Sequence, residues 1–359
     1  MQAGAQTEAV PLTALTVSRW SRVMGLLAAI TLAAFVICLQ FGSERIALSD
    51  LARVMIDFTR GTVPESAPGL SLSVIVLDVR LPRLLVAFLV GASLSSVGVT
   101  LQALLRNPLA DPFILGISSG AALGAALALQ TGVAWAVGGF STVHLFAFAG
   151  AAVTIGAIYR ITVVEGRLPV HTLLLAGVII NAILSSLILF ITSLADSTSA
   201  FRLFFWLMGS LATLGFAGVG ALAVYVLLGL GVLCGHARKL NLLALGEDTA
   251  RGLGLEVERV KRMIFVTTSL LTGAVVAVSG LIGFVGMVVP HAVRMVLGPD
   301  HRLLLPAAAL VGGTFLTVAD TVARSLLAPS ELPVGVITAL AGGPFFIYLL
   351  VSTRRANLW

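Results

Sequence analysis

The sequence predicts an all-α membrane protein, a polytopic bundle of about ten transmembrane helices. Of its 359 residues, 58% are hydrophobic and 11% are charged, whereas a soluble domain carries about a quarter charged residues. Uncharged runs such as 23–41 and 211–235 match the ~20 residues that a helix needs to cross the hydrocarbon core. A soluble core cannot absorb so much apolar sequence, so we expect lipid to be the main solvent of the chain.

Ten spans follow from apolar length, from charge and from Gly/Pro breaks. The first span follows Arg19 and Arg22, but its apolar run exceeds the ~7–15 residues of a signal peptide, so we expect it to be retained. Residues 263–297 are the hardest to divide into two spans. The predicted spans are 23–41, 84–105, 113–130, 143–164, 170–194, 211–235, 263–282, 283–297, 303–327 and 333–351.

The distribution of basic residues predicts the orientation of the chain. With the N-terminus inside, fifteen of the 22 lysines and arginines fall on inner connections and tails, a bias of about two to one. The N-terminal tail 1–22 and the C-terminus are therefore expected in the cytoplasm. The net charge of +6 is explained by this bias, and we do not read it as a nucleic-acid-binding surface.

The outer connection, residues 42–83, is long enough to form structure outside the lipid. Ser49 is the expected N-cap of a short helix with Asp50 in its first turn. We expect this helix to lie along the outer surface on an apolar face. The residues of that face are Ile46, Leu51, Met55 and Phe58.

The inner connection, residues 236–262, contains a second short helix. Glu247 and Asp248 are typical of a helix start, and Gly252 and Gly254 are typical of its end. We expect this small capped helix to face the cytoplasm.

Several residue types argue against enzymatic or metal chemistry in this chain. Cys38 and Cys234 lie in separate apolar spans, which favours packing over a disulfide. Lys239 and Lys261 are the two lysines of the sequence, and neither follows the Gly-x-x-x-x-Gly of a phosphate-binding loop. The histidines lack metal-ligand spacing, so we expect no metal and no cofactor on this chain. These histidines are His144, His171, His236, His291 and His301.

Individual motifs suggest two functions, an intramembrane serine hydrolase and an ion-coupled secondary transporter. Gly116-Ile-Ser-Ser-Gly120 matches the nucleophile pattern of serine hydrolases, but it lies in an Ala/Gly-rich span where close helix packing also explains it. Asp320 is a candidate for ion coupling in a secondary transporter, but Arg324 four residues later favours an ion pair equally.

Many glycines stand at helical spacings within the spans, as in Gly116-xxx-Gly120-xxx-Gly124, Gly280-xx-Gly283-xx-Gly286 and Gly312-Gly313. Because lipid supplies no hydrophobic force between helices, small residues are what let helix backbones approach closely. The pattern predicts a compact bundle.

A series of motifs occurs in a fixed order between about residues 75 and 350. The motifs are Arg80-Leu-Pro-Arg83, Gly91-Ala-Ser, Leu101-Gln-Ala-Leu-Leu-Arg-Asn-Pro-Leu-Ala-Asp-Pro112, Leu115-Gly-Ile-Ser-Ser-Gly120, Leu245-Gly-Glu-Asp-Thr-Ala-Arg-Gly-Leu-Gly254, Gly283-Phe-Val-Gly-Met-Val-Val-Pro-His291, Asp300-His-Arg302, Ala319-Asp-Thr-Val-Ala-Arg324 and Glu331-Leu-Pro-Val-Gly335. In their order and spacing, which together are highly specific, these motifs resemble the FecCD-type permeases of ABC importers for siderophores, haem and cobalamin.

The resemblance implies a type II ABC importer permease fold in a single transmembrane domain. It implies a homodimer in the inner membrane that binds two ATPase subunits, where ATP and magnesium are held, and receives cargo from a periplasmic substrate-binding protein. It implies import of a metal chelate by alternating access, with an iron chelate or haem favoured over cobalamin. The permease itself would not be an enzyme.

The resemblance also implies roles for individual residues. Arg80, Arg83 and Arg324 match the family's outer arginines, which pair with acidic residues of the binding protein, although anchoring at the membrane interface explains them too. The ATPase coupling helix corresponds to Leu245, Gly246, Glu247, Asp248, Ala250, Arg251, Gly252 and Gly254, for which a plain connecting loop is the alternative. The cytoplasmic gate corresponds to Asn107, Leu109, Val170 and His171, and His171 departs from the small hydroxyl residue of some relatives.

Overall fold

The computed structural model describes residues 15–42, 44–60, 72–211 and 214–355, and within these ranges the chain is almost entirely helical. Among the described residues, seven helices are long and apolar enough to cross a membrane, and three shorter apolar helices bring the number to ten. The predicted fold class is therefore confirmed. The ten helices are α1 (Val17–Gln40), α3 (Leu81–Leu104), α4 (Ile117–Thr131), α5 (Thr142–Thr162), α6 (Val170–Leu194), α8 (Phe216–Gly235), α11 (Val257–Ser279), α12 (Val285–Leu297), α13 (His301–Ser325) and α14 (Val334–Arg355).

Shorter elements connect these helices. A π-helical stretch continues directly into α3, a 3₁₀ turn precedes α4, and an antiparallel hairpin pairing Ala136 with Ser141 precedes α5. The sequence did not predict α7 or α9 as separate helices. The connecting elements are α2 (Leu48–Arg60), the π-helix (Val74–Arg80), the 3₁₀ turn (Pro112–Leu115), β1 (Ala136–Val137), β2 (Phe140–Ser141), α7 (Ser197–Leu207), α9 (Ala237–Ala244) and α10 (Glu247–Gly252).

The outer helix α2 begins one residue before the predicted N-cap. Leu51 N donates to Ala47 O at 3.0 Å, so Ser49 lies inside the helix and its prediction as the N-cap is wrong. Of the predicted apolar face, Ile46 and Leu51 are buried beside α1 and the π-helix, whereas Phe58 is exposed. Residues 43 and 61–71 of this connection lie outside the described part of the chain.

Helix α3 occupies the centre of the bundle and is buried along nearly its whole length. It packs against α8, α11, α12 and α13. A Cβ atom on Gly98 would overlap the carbonyl of Gly286 in α12, and one on Gly91 would overlap the carbonyl of Gly312 in α13. The predicted close approach of helix backbones at small residues is confirmed at these crossings.

The Gly-x-Ser-x-Gly segment packs α4 against its neighbours. Gly120 lies against Gly150 of α5, and Ser119 Oγ donates to Asn181 Oδ1 of α6. The 3₁₀ turn stands where a nucleophile elbow requires a strand, and Ser118 is buried. The segment is thus a packing element, and the hydrolase alternative has no geometric support.

Three long helices present most of their apolar surface to the outside of the monomer. In the most apolar part of α1, 11% of the residues are buried, and the corresponding share is 17% for α6 and 28% for α8, against 83% for the continuous helix 74–104. Such faces need lipid or another protein chain to cover them.

Candidate functional site

A cluster of four charged side chains lies where α3 begins and α13 ends. The Arg83 guanidinium spans the Asp320 carboxylate, with Nη2 at 3.0 Å from Oδ1 and Nε at 3.2 Å from both oxygens. Its remaining nitrogen, Nη1, donates to Glu331 Oε2 at 2.8 Å. Arg324 Nε lies 3.1 Å from Asp320 Oδ2. We call Arg83, Asp320, Arg324 and Glu331 the outer charge cluster.

Exposure differs sharply within the outer charge cluster. The Asp320 side chain is 0% exposed and that of Arg324 is 6% exposed, whereas that of Glu331 is 53% exposed. Two guanidinium groups compensate the buried Asp320 carboxylate, which confirms the predicted ion pair with Arg324 and removes the reason to regard Asp320 as an ion-coupling site. Glu331 was not singled out from the sequence, where only the Glu-Leu-Pro-Val-Gly motif marks it.

Arg80, the third predicted docking arginine, is held apart from this cluster. Its Nη1 donates to Leu39 O at 2.8 Å and its Nη2 donates to Glu44 O at 2.5 Å. The residue is 3% exposed. In this structure Arg80 ties the end of α1 to the π-helix, and docking through any of the three arginines stays a prediction.

The predicted coupling helix, residues 245–254, contains α10, and a short helix, α9, precedes it. α10 begins at Glu247 as predicted, and Gly252 is its last helical residue. Gly254 has a φ of +83°, a value that glycine adopts without strain, and Leu255 N donates back to Ala250 O at 3.0 Å to close the helix end. The role in ATPase coupling stays a prediction.

Four charged side chains tie α10 to the first turns of α11. The Lys261 ammonium lies 2.9 Å from Glu258 Oε1 and 3.2 Å from Glu247 Oε2, and its side chain is only 3% exposed. Arg251 Nη2 lies 3.2 Å from Glu247 and 3.4 Å from Glu258. The carboxylates of Glu247 and Glu258 thus share the cations of Arg251 and Lys261. We call these four residues the inner charge cluster. The sequence did not point to Glu258 or Lys261.

The turn between α5 and α6 meets the inner charge cluster directly. Glu258 Oε2 accepts a hydrogen bond from Leu168 N at 2.8 Å, and Arg262 Nη2 donates to Gly166 O at 3.2 Å. Val164 and Arg167 close this turn as an antiparallel bridge. We call residues 163–169 the α5–α6 turn.

The second predicted gate segment, Val170 and His171, begins α6 directly after this turn. Val170 is partly buried against the core, whereas His171 is exposed. Pro169 O accepts the hydrogen bond of Leu173 N at 3.0 Å, so the turn is continuous with the first turn of α6.

The first predicted gate segment, Asn107 and Leu109, lies in the connection from α3 to the 3₁₀ turn. Asn107 Oδ1 accepts from Leu109 N at 2.9 Å, and Asn107 N donates to Gln102 O at 3.1 Å. These bonds fix a tight turn after α3. The 3₁₀ turn that follows packs on α6, with Leu115 against Gly177. Both gate segments are therefore joined to α6, and their gating role stays a prediction.

Asp111 caps the 3₁₀ turn that follows Asn107. Its Oδ1 accepts from Phe113 N at 2.8 Å. Burial raises the pKa of the Asp111 carboxyl from 3.8 to about 6, and the hydrogen bond from Phe113 N opposes this increase only in part. Asp111 therefore titrates close to neutral pH, which the sequence did not indicate.

A groove of about 750 Å³ is lined by the Asn107 turn, by Asn241, Ala244 and Leu245 near the coupling helix, and by residues 294–303. On its wall, Asn241 of α9 donates to Asp300 Oδ1 at 2.9 Å and accepts from His301 N at 2.9 Å. Arg302 and Asn241 hold the pKa of the Asp300 carboxyl well below its usual range. These bonds fasten α9 to the start of α13.

Within the described ranges, no three histidine, cysteine, aspartate or glutamate side chains converge as a metal site. His144 accepts from Ser141 N at 3.1 Å in the cap of α5, and His236 Nδ1 donates to Val232 O at 2.8 Å. Both histidines therefore serve helix ends.

Comparison with known proteins gives a consistent result. The FecCD transport family matches residues 30–352. The cobalamin import system permease BtuC of Halobacterium salinarum is 46% identical, covering 80% of this chain and 75% of its own length. The hemin transport system permease HmuU of Yersinia pestis is 43% identical, covering 78% and 84%. The vitamin B12 import permease BtuC of Escherichia coli is 40% identical over the same shares of the two chains.

A solved structure resembles the whole fold. It is an inward-facing conformation of a transporter classed as the metal-chelate ABC type, with a TM-score of 0.78 and 31% identity. The match covers 92% of this chain and 99% of the other. A second structure, PsaBC from Streptococcus pneumoniae, is 16% identical with a TM-score of 0.54 and supports the fold alone.

Proposed function

The chain belongs to the FecCD transport family, and from this premise we propose that it imports a metal chelate across the inner membrane. It is a multi-pass permease subunit of an ABC importer and not an enzyme, since its relatives are permeases of import systems. The family match across residues 30–352 is the observation that carries the proposal. An ATPase subunit and a substrate-binding protein are the partners that such a permease implies.

In the proposed assembly, two copies of this chain enclose the pathway, with both termini in the cytoplasm. The weakly buried face of α6 supports this arrangement, because it needs a covering surface and carries polar groups among apolar ones. Asn181 and Ser185 lie exposed on it. A pathway lined by small and weakly polar groups suits a bulky chelate, since tight binding inside would slow its release.

The binding protein is proposed to dock at the outer charge cluster. Arg83 is the arginine best placed for this role, because its partner Glu331 is half exposed and a carboxylate of the binding protein could replace it. Arg324 and Asp320 would then hold Arg83 in position from the buried side.

ATP and magnesium are proposed to bind on the partner ATPase, since this sequence has no phosphate-binding loop. The ATPase would hold α10 in a surface groove. Closure of two ATPase subunits would pull both coupling helices, tilt the bundle and open the outer cavity to the docked binding protein. Hydrolysis would return the transporter to its inward-open state.

The cargo class follows from the names of the relatives, which include cobalamin and hemin permeases. Both are large metal chelates, and an iron siderophore has the same character. An iron chelate, haem and cobalamin are therefore the candidate cargoes. An ion-coupled secondary transporter is not favoured, because Asp320 is compensated by two arginines.

Reconstitution tests the proposal. The permease, its ATPase and its binding protein are placed in proteoliposomes and offered haem, a ferric hydroxamate siderophore and cyanocobalamin in separate assays. We expect ATP-dependent uptake of one probe and none with ADP. Uptake driven by an imposed proton gradient without ATP, or no uptake of any chelate with ATP, would contradict the proposal.

A further inference from the structure

The structure contains a continuous polar connection between α10 and the start of α6. It passes through Glu258, whose two carboxylate oxygens have different partners. Oε1 lies 2.9 Å from the Lys261 ammonium, and Oε2 accepts from Leu168 N at 2.8 Å. One rigid side chain therefore joins the inner charge cluster to the α5–α6 turn.

At the α10 end of this connection, the central cation is shielded from water, whereas its two carboxylate partners are about a quarter exposed. Lys261 is almost fully buried and contacts Glu247, the first residue of α10, at 3.2 Å. Breaking a buried ion pair on one side leaves an uncompensated charge, which costs far more than losing an exposed pair. Glu247, Lys261 and Glu258 should therefore move as one unit when α10 is displaced.

The α6 end is equally direct. Leu168 is buried at 3% exposure, and only Pro169 separates it from Val170, the first residue of α6. Arg262 adds a second bond from α11 to the turn at Gly166 O. Hydrogen bonds therefore connect the first turns of α11 to the turn that precedes the predicted gate residues, so a displacement of α11 should move them.

We propose that Glu258 is the positioning residue that transmits movement of the coupling helix α10 to the gate at the start of α6. The role rests on the proposed function, in which an ATPase moves α10. Glu258 touches neither ATP nor cargo in this role. It acts through Leu168 N on one side and through Lys261 on the other.

The chain offers graded variants and a matched control. Glu258→Ala removes the contacts with Leu168 N, Lys261 and Arg251. Glu258→Gln keeps an oxygen for Leu168 N and loses the charge that faces Lys261. Glu256→Gln is the control, because Glu256 lies one half-turn away, is 72% exposed and pairs only with Arg259 among the described residues.

The experiment reads gate movement and hydrolysis separately in the full complex with its ATPase. Cys38 and Cys234 are replaced by serine, His171 is changed to cysteine, and its rate of maleimide labelling is measured with and without ATP plus vanadate. We expect the wild-type background and E256Q to show the same ATP-dependent change. In E258A the change should fall at least fivefold while basal hydrolysis stays within twofold, and E258Q should lie between.

The outcomes separate this inference from the proposed function. If the wild-type background shows no ATP-dependent change at position 171, the start of α6 is not the gate and this inference fails, whereas ATP-dependent uptake in proteoliposomes tests the proposed function separately. If this background does show the change and both Glu258 variants match it, Glu258 does not transmit the movement. Should E258A fail to assemble, E258Q decides alone, and a wild-type labelling response in E258Q overturns the inference.

Discussion

Glu331 Oε2 lies 2.8 Å from Arg83 Nη1, although the two residues stand 248 positions apart in the chain. Glu331 thus occupies the Nη1 side of the Arg83 guanidinium, which is the side that a carboxylate of the binding protein would have to reach. In the proposed docking mode, an acidic group of the binding protein displaces Glu331, so we expect substitutions of Arg83 and Glu331 to have opposite effects on affinity.

Removing the internal competitor should strengthen docking. In E331Q the neutral amide competes less for Arg83, so we expect the binding protein to associate about three- to tenfold more tightly at low salt. Affinity is measured by surface plasmon resonance on the detergent-solubilised complex. Unchanged or weaker association would contradict the displacement of Glu331.

Reversing the charge of Arg83 should weaken docking. We expect R83E to lose at least tenfold in affinity, about 1.4 kcal/mol, while the ATPase remains bound. Arg53→Glu is the control, because Arg53 is also an outer arginine but is 79% exposed on α2. Equal losses in both variants would indicate a general electrostatic effect, and no loss in R83E would remove Arg83 from the docking site.

Arg251 should matter for coupling more than for stability. Its ion pairs are half exposed, and such pairs contribute about 0.2–1 kcal/mol each. We expect R251A to unfold within a few degrees of wild type, yet to show at least fivefold less transport per ATP hydrolysed or to release the ATPase. R259A, which loses only an exposed pair with Glu256, is the control. Normal coupling in R251A would contradict the role of α10.

Asp111 should make stability depend on pH. Its pKa is raised to about 6 in the folded protein, so the protonated form is favoured there. The loss of stability that comes from ionising the buried carboxyl is absent below the unfolded pKa near 3.8 and grows until the pH exceeds about 6. D111N keeps the oxygen that caps Phe113 N and has no carboxyl to titrate. Its free energy of unfolding relative to that of wild type should therefore increase by about 1–2 kcal/mol from pH 4.5 to pH 8.

Thermal unfolding of detergent-purified wild type and D111N at both pH values measures this gain. Other titrating groups cancel in the difference between the two proteins. A difference that does not change with pH would show that Asp111 is ionised throughout the range.

The contact between Gly98 and Gly286 should tolerate no side chain. Because a Cβ would overlap a backbone carbonyl, G98V has to separate α3 from α12 at a cost of about 1–3 kcal/mol or more. We expect low yield of monodisperse protein by fluorescence-detected size exclusion. G25V is the control, since the Gly25 Cβ position has no neighbour within 4 Å. Wild-type behaviour of G98V would contradict the close crossing.

Local sequence features predicted much of the fold. In the part of the chain that the structure describes, apolar length located the seven helices that are long enough to cross a membrane and the three shorter apolar ones. Glu247 and Gly254 located α10, because capping, like hydropathy, acts over neighbouring residues. Ser49 was placed wrongly because helix ends are set within one or two residues by backbone hydrogen bonding that the sequence leaves open. α7 is not predicted, although Asp196 caps its start, because its 11 residues are too few for a span and lie between two predicted spans.

By itself the sequence determined that this chain spans a membrane as a glycine-rich helical bundle. It also marked Arg80, Arg83, Arg324 and the short helix within residues 245–254 as candidate functional sites. Only the tertiary structure decided which carboxylates those charges meet: Glu331 on Arg83, and Glu258 between Lys261 and the α5–α6 turn. The physical reason is distance along the chain. A membrane-spanning helix depends on the apolar character of consecutive residues, whereas an ion pair between helices depends on how segments far apart in the chain pack together.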